Sequence, residues 1–385
     1  MSVAKNVFFE LVRAGLWGGQ RPVQEFKSSR VQDSVDWGKV YQLAQEQAVV
    51  GIVLQGLEEL RAKNLELRVP QTLLLQWIGE VQVIEQRNRA MNAFIAELIE
   101  RLQEAEIRAL LLKGQGIGQC YERPLWRCSG DVDLFLLDSN YEKAKRLLVP
   151  MASKVESEYE GSKHLGMTID GWVVELHGSL RVGLHQRINR VLDDIQTDTF
   201  NRGNVRSWMN EQTQVFLLGK ENDVVYVFVH FFNHFYKEGV GLRQLCDWCR
   251  LMWTYRDELD VKKIERRIRK MGLMSEWKAF YNLASRYLGM PDLDSRFMFR
   301  DSRYDMKADR IMKFIIMSGN MGHNRGSWLM KHDSWLTRQY VVRKAFSMFR
   351  RIGDLINHAR IFPLDSLRFF PSIMFNGLRS AIRGE

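Results

Sequence analysis

Three short apolar runs, IRALLLKG from Ile107, DVDLFLL from Asp131 and WVVELH from Trp172, constrain the fold of this chain more than any other feature. Each reads as a buried strand, and the first ends in a glycine turn. With His164 to Ile169 as a further strand and Tyr141 to Leu148 as a helix, they predict a compact α/β segment over residues 105–185. The flanks carry the other period. Apolar residues recur at helical spacing from Ser34 to Leu60, and Pro70 opens a longer pattern to about Ala105. After Leu184 the pattern returns to helices, including Asp223 to Tyr236, Leu242 to Tyr255 and Asp260 to Met271, the last with Asp260 as N-cap. The expected fold class is α+β: a small mixed sheet between helical segments. The expected divisions are 1–104, 105–185, 186–300 and a tail over 301–385.

Composition narrows the setting without choosing a function. Apolar residues make up 45% and charged residues 26% of 385, so neither disorder nor a membrane-embedded fold is expected. The net charge of +10 favours polyanionic partners: nucleotides, nucleic acid or an acidic membrane surface. The first apolar run is broken by Glu10 and Arg13 and reads as an amphipathic helix, not a secretory signal. The longest apolar stretch, Val224 to Phe232, is interrupted by His230 and falls short of the ~20 residues a transmembrane helix needs. A cytoplasmic protein with four reduced cysteines is therefore expected. From Thr337 onward, nine Lys or Arg stand against three acids, interleaved with phenylalanines from Phe346 to Phe375. That tail fits peripheral membrane or nucleic-acid contact, and equally a packed helical pair.

The chemistry resides in the strands. The strand period of two puts Asp131 and Asp133 on one face of DVDLFLL, and Glu175 and His177 on one face of WVVELH. Three carboxylates on adjacent strands suit a hard divalent cation, Mg²⁺ or Mn²⁺, which takes oxygen ligands and completes its shell with substrate phosphates. Upstream, Lys113, Gly114 and Gln115 open a glycine-rich turn before a short helix, where backbone amides face a triphosphate; Lys113 and Arg127 add positive charge.

The stretch KGQGIGQCYERPLWRCSGDVDLFL, followed by VVELH, resembles the uncharacterised bacterial nucleotidyltransferase family of the DNA polymerase beta-like superfamily. In that superfamily a glycine-rich turn precedes an acid-x-acid strand. The resemblance implies that Asp131 and Asp133 bind metal and act in catalysis, with Glu175 as the third carboxylate. It extends to HFFNHFYKEGVGLRQLCDW from His230, where Lys237, Arg243 and Asp247 are the matching positions. It departs from the pattern at Gln115, where the superfamily commonly has serine after glycine, and in a longer gap to Asp131. The implied reaction moves a nucleoside monophosphate from an NTP to an acceptor (small molecule, sugar, RNA or protein) with release of pyrophosphate. Two alternatives share these residues: a nucleotide-binding or interaction module without turnover, and a toxin-type enzyme that modifies RNA or protein.

Other signals favour structural readings. Cys246 and Cys249 form a CxxC within a helical pattern and read as core cysteines. His230 and His234, four apart on a helix without the glutamate of a protease zinc motif, read as packing or hydrogen-bonding groups. The basic run from Lys262 to Lys270 surrounds an apolar stripe and reads as a solvated helix face.

Overall fold

A computed structural model of the chain describes residues 2–18, 35–63, 67–137, 139–158, 163–237, 239–293, 301–320 and 353–371. Helices α1 (Val3–Trp17), α2 (Trp37–Glu46), α3 (Val50–Ala62) and α4 (Gln71–Glu104) come first, as the 3.6-residue period predicts. Strand β1 (Leu110–Leu112), a single turn α5 (Gly114–Gly118), β2 (Val132–Phe135), α6 (Ser139–Leu148), β3 (Lys154–Val155), β4 (His164–Ile169) and β5 (Trp172–His177) follow. Then come α7 (Gln186–Phe200), β6 (Val205–Asn210), β7 (Thr213–Leu218), α8 (Lys220–Lys237), α9 (Leu242–Thr254), α10 (Val261–Met271), α11 (Met274–Tyr287) and α12 (Asp305–Ser318). Two further helices, α13 and α14, occupy 353–361 and 363–371.

The strands form one mixed seven-stranded sheet in the order β3-β4-β5-β2-β1-β7-β6. Helices alone were expected after Leu184, and the hairpin β6–β7 corrects that expectation: β7 pairs in parallel with β1. The hairpin is concealed in the sequence because its turn contains neither glycine nor proline; Glu211 itself takes the left-handed conformation at φ 54°. The β4–β5 hairpin is the opposite case. Asp170 and Gly171 form its two-residue turn at φ 49° and 79°, the positive-φ pair such a turn requires.

Alternation along the strands builds two cores. Leu111, Val132, Leu134, Leu165, Met167, Val174, Leu176 and Leu217 face one side, against the second half of α4 and α6. Leu110, Leu112 and Phe135 face the other side, where α1 to α3 and α7 to α12 supply the larger core. Asp133 shares the face of Phe135, so the carboxylates lie on the side covered by the C-terminal helices. Two glycines let α1 and α3 cross at backbone contact. A Cβ on Gly56 would lie 1.9 Å from the Leu11 carbonyl oxygen, and one on Gly15 would lie 1.9 Å from that of Ile52.

The N-cap predicted at Asp260 is present, its carboxylate accepting from the Lys263 amide at 3.0 Å. Asp260→Ala is expected to cost about 1 kcal/mol, the usual value of such a cap, as a lower urea midpoint with an unchanged slope.

The described part of the tail packs inward. Phe369 meets Phe232 and Tyr236 at ring-centroid distances of 6.0 and 5.1 Å, and His358 meets Phe235 at 4.5 Å. Phe346, Phe349 and Phe375 lie outside the described residues. All four cysteines are free, with Cys246 and Cys249 buried in α9. No helix among the described residues is long and apolar enough to cross a membrane.

Candidate active site

Pairing register assembles the site. Strands β2 and β5 run parallel with Asp133 opposite Glu175, so the two carboxylates stand side by side on one face. Asp131 lies two residues before Asp133, just ahead of the strand. One carboxylate oxygen from each of Asp131, Asp133 and Glu175 falls within 4.8 Å of the other two. That convergence carries an electrostatic cost. Repulsion from Asp133, with burial added, holds the Asp131 carboxyl above the usual carboxylate range.

Cationic and imidazole groups of the chain offset part of this charge. Lys113 Nζ lies 3.1 Å from Asp133 Oδ1, and attraction to that carboxylate outweighs burial and raises the ammonium pKa. The backbone of Lys113 is strained to place it there, at φ 51° ahead of Gly114 at φ 49°. Lys113 Nζ also donates to His230 Nε2 at 3.2 Å. Burial, reinforced by the Lys113 charge, lowers the His230 pKa and keeps the ring a neutral acceptor. His177 Nε2 lies 2.7 Å from Asp133 Oδ1 and 3.4 Å from Glu175 Oε2. Burial opposes the charge on His177, but its bonds to these two carboxylates prevail and raise its pKa. Burial likewise acts to raise Glu175, while hydrogen bonds to His164 and His177 hold it well below the usual range.

The remaining predicted residues divide. Gly114 lies against the start of the acidic strand: a Cβ there would be 3.6 Å from the Asp131 carbonyl oxygen. The Gln115 side chain turns the other way, buried and donating to Asn92 Oδ1 at 2.8 Å and Asn88 Oδ1 at 3.2 Å on α4. Arg127, expected near phosphates, is engaged elsewhere. Its Nε and one terminal nitrogen each donate to Asp247 at 2.7 Å, a fully buried bidentate pair. Tyr121 donates to the same carboxylate at 2.8 Å. Arg243 does lie beside the strand entry, with both terminal nitrogens within 3.8 Å of where a Gly130 Cβ would stand. One of them donates to the Cys128 carbonyl at 3.0 Å, the buried Nε has no hydrogen-bond partner, and among the described residues no carboxylate pairs with this guanidinium. Lys237 closes α8, about two turns past His230.

His230 takes the hydrogen-bonding role its helical spacing allows, toward Lys113 and, at 3.1 Å, toward His234. One neighbour departs from the sequence reading. His164 was not singled out, yet the register puts it opposite His177, with its Nε2 3.1 Å from Glu175 Oε2. The Asp-Gly turn carries that information: counting back in pairs from Ile169 and Trp172 brings His164 to His177.

Compared with known families, residues 33–289 match a profile described as uncharacterised nucleotidyltransferase. No curated protein and no solved structure matches the chain. With its three carboxylates gathered on one sheet face, the chain belongs to this uncharacterised nucleotidyltransferase family.

Proposed function

We propose that the chain is a metal-dependent nucleotidyltransferase with a DNA polymerase beta-like core, moving a nucleoside monophosphate from an NTP to an acceptor hydroxyl with release of pyrophosphate. The observation that carries this reading is the convergence of Asp131, Asp133 and Glu175 from neighbouring strands, with Lys113 against Asp133. An all-oxygen set whose mutual repulsion already raises one member fits Mg²⁺ or Mn²⁺. When bound, such an ion stabilises charge on the phosphoryl oxygens and acidifies the acceptor hydroxyl.

The protein's own groups then have separate tasks. Asp131, Asp133 and Glu175 hold the metal, and the hydrogen bonds from His164 and His177 keep Glu175 ionised as a ligand. His177 fixes the rotamer of Asp133. Lys113 keeps the carboxylates close in the free protein and is positioned beside the transferred phosphoryl group. Arg243, a half-buried guanidinium with no carboxylate partner among the described residues, is suited to a phosphate oxygen. Gly114 permits close approach of backbone to the triphosphate.

The test is calorimetric titration with each non-hydrolysable NTP, with and without Mg²⁺, on the wild type and an Asp131→Asn, Asp133→Asn double variant. Metal-dependent binding by the wild type and its loss in the double variant are expected, and the tightest nucleotide names the base. No binding of any NTP by the folded wild type would refute the mechanism.

A further inference from the structure

A second group of potential metal donors adjoins the three carboxylates and shares one of them. His164, Glu175 and His177 each offer one ligand atom, all within 4.8 Å of one another. Both imidazole Nε2 atoms converge on the same oxygen, Glu175 Oε2, at 3.1 and 3.4 Å. Donor atoms about 2.0 to 2.1 Å from a tetrahedral ion are separated by roughly 3.3 Å along each edge. These two separations already lie near that edge, before any ion draws the groups together. The rings themselves are 4.7 Å apart between centroids, held by direct cross-strand pairing of His164 with His177.

A further feature of β4 brings another carboxylate beside this group. Gly166 pairs directly with Glu175 and lies two residues from His164, so its missing side chain would share their face. The space is taken by Glu156: a Cβ on Gly166 would be 2.7 Å from Glu156 Oε2. A fourth carboxylate thus reaches the same strand pair.

We propose that His164, Glu175 and His177 form a nitrogen-rich binding position for Zn²⁺, distinct in ligand type from the all-carboxylate position that adjoins it. Two imidazoles and one carboxylate suit Zn²⁺ and disfavour Mg²⁺, which binds oxygen. Binding requires both Nε2 atoms to be free of protons, so each neutral ring carries its proton on Nδ1. Glu175 belongs to both positions, which makes Zn²⁺ a competitor for the third ligand of the carboxylate site. The inference does not depend on nucleotidyl transfer, and its test uses no nucleotide.

The full chain is stripped of metal with a chelator, and Zn²⁺ is titrated in competition with a chromophoric chelator. The wild type should take up one Zn²⁺ per chain, and His164→Ala should weaken that affinity at least tenfold while circular dichroism stays unchanged. Undiminished affinity in folded His164→Ala, or no stoichiometric uptake by the wild type, overturns the proposal. Co²⁺ in the wild-type protein gives a reading independent of any variant. Two exchangeable, hyperfine-shifted imidazole N–H proton resonances are expected, whereas their absence, or a thiolate charge-transfer band reporting cysteine ligation, overturns it.

Discussion

Asp133→Asn is expected to lower nucleotidyl transfer by about 10³-fold or more, the scale on which an enzyme loses a principal electrostatic group. The substitution keeps the side-chain volume, and the amide oxygen still accepts from His177, so the 2.7 Å contact that orders the strand pair is kept in kind. What it removes is one negative charge from a set of three and the partner of Lys113. Asp131→Asn should be equally inactive while making the metal-free fold more stable. The Asp131 carboxyl is raised chiefly by repulsion from Asp133, so a neutral amide relieves a strain that the free protein carries. Its thermal midpoint without metal should rise as its activity disappears. Transfer of α-phosphate label from NTP into extract components measures the first effect, and calorimetric melting in chelator measures the second. Wild-type transfer by either variant would remove these carboxylates from the chemistry.

How much of this is legible in the sequence depends on the element. Strand period alone places Asp131 with Asp133, and it places Glu175 on a neighbouring run, because a carboxylate every second residue in an otherwise buried strand must point one way. The helices α4, α8, α9 and α10 follow from apolar periodicity and from breakers or caps such as Pro70 and Asp260. Hairpin β6–β7 was not legible, since Glu211 occupies a conformation usually signalled by Gly or Asn, and Val205 to Asn210 is only partly buried. The allegiance of the basic residues was hidden for another reason. Whether Arg127 or Arg243 faces the acids depends on how α9 packs against the segment before β2, a contact between residues more than a hundred positions apart.

That contact separates the two arginines by experiment. Arg127→Ala is expected to destabilise the chain by about 3 to 5 kcal/mol, because it leaves the buried Asp247 carboxylate without its bidentate partner and with one hydrogen bond from Tyr121. Loss of nucleotide binding in this variant should follow loss of fold and recover at low temperature. Arg243→Ala should behave in reverse. Burial, with repulsion from Arg127 added, lowers the Arg243 pKa, so its positive charge is a burden on the free protein. Removing it should leave the urea midpoint nearly unchanged or slightly higher, while NTP affinity falls at least tenfold. Urea unfolding and nucleotide calorimetry on the two variants measure both quantities. Equal destabilisation by both substitutions would make Arg243 a packing residue. A selective loss of binding at Arg243 is the signature of a cation retained at the expense of stability, as expected for a half-buried guanidinium that no carboxylate among the described residues pairs with.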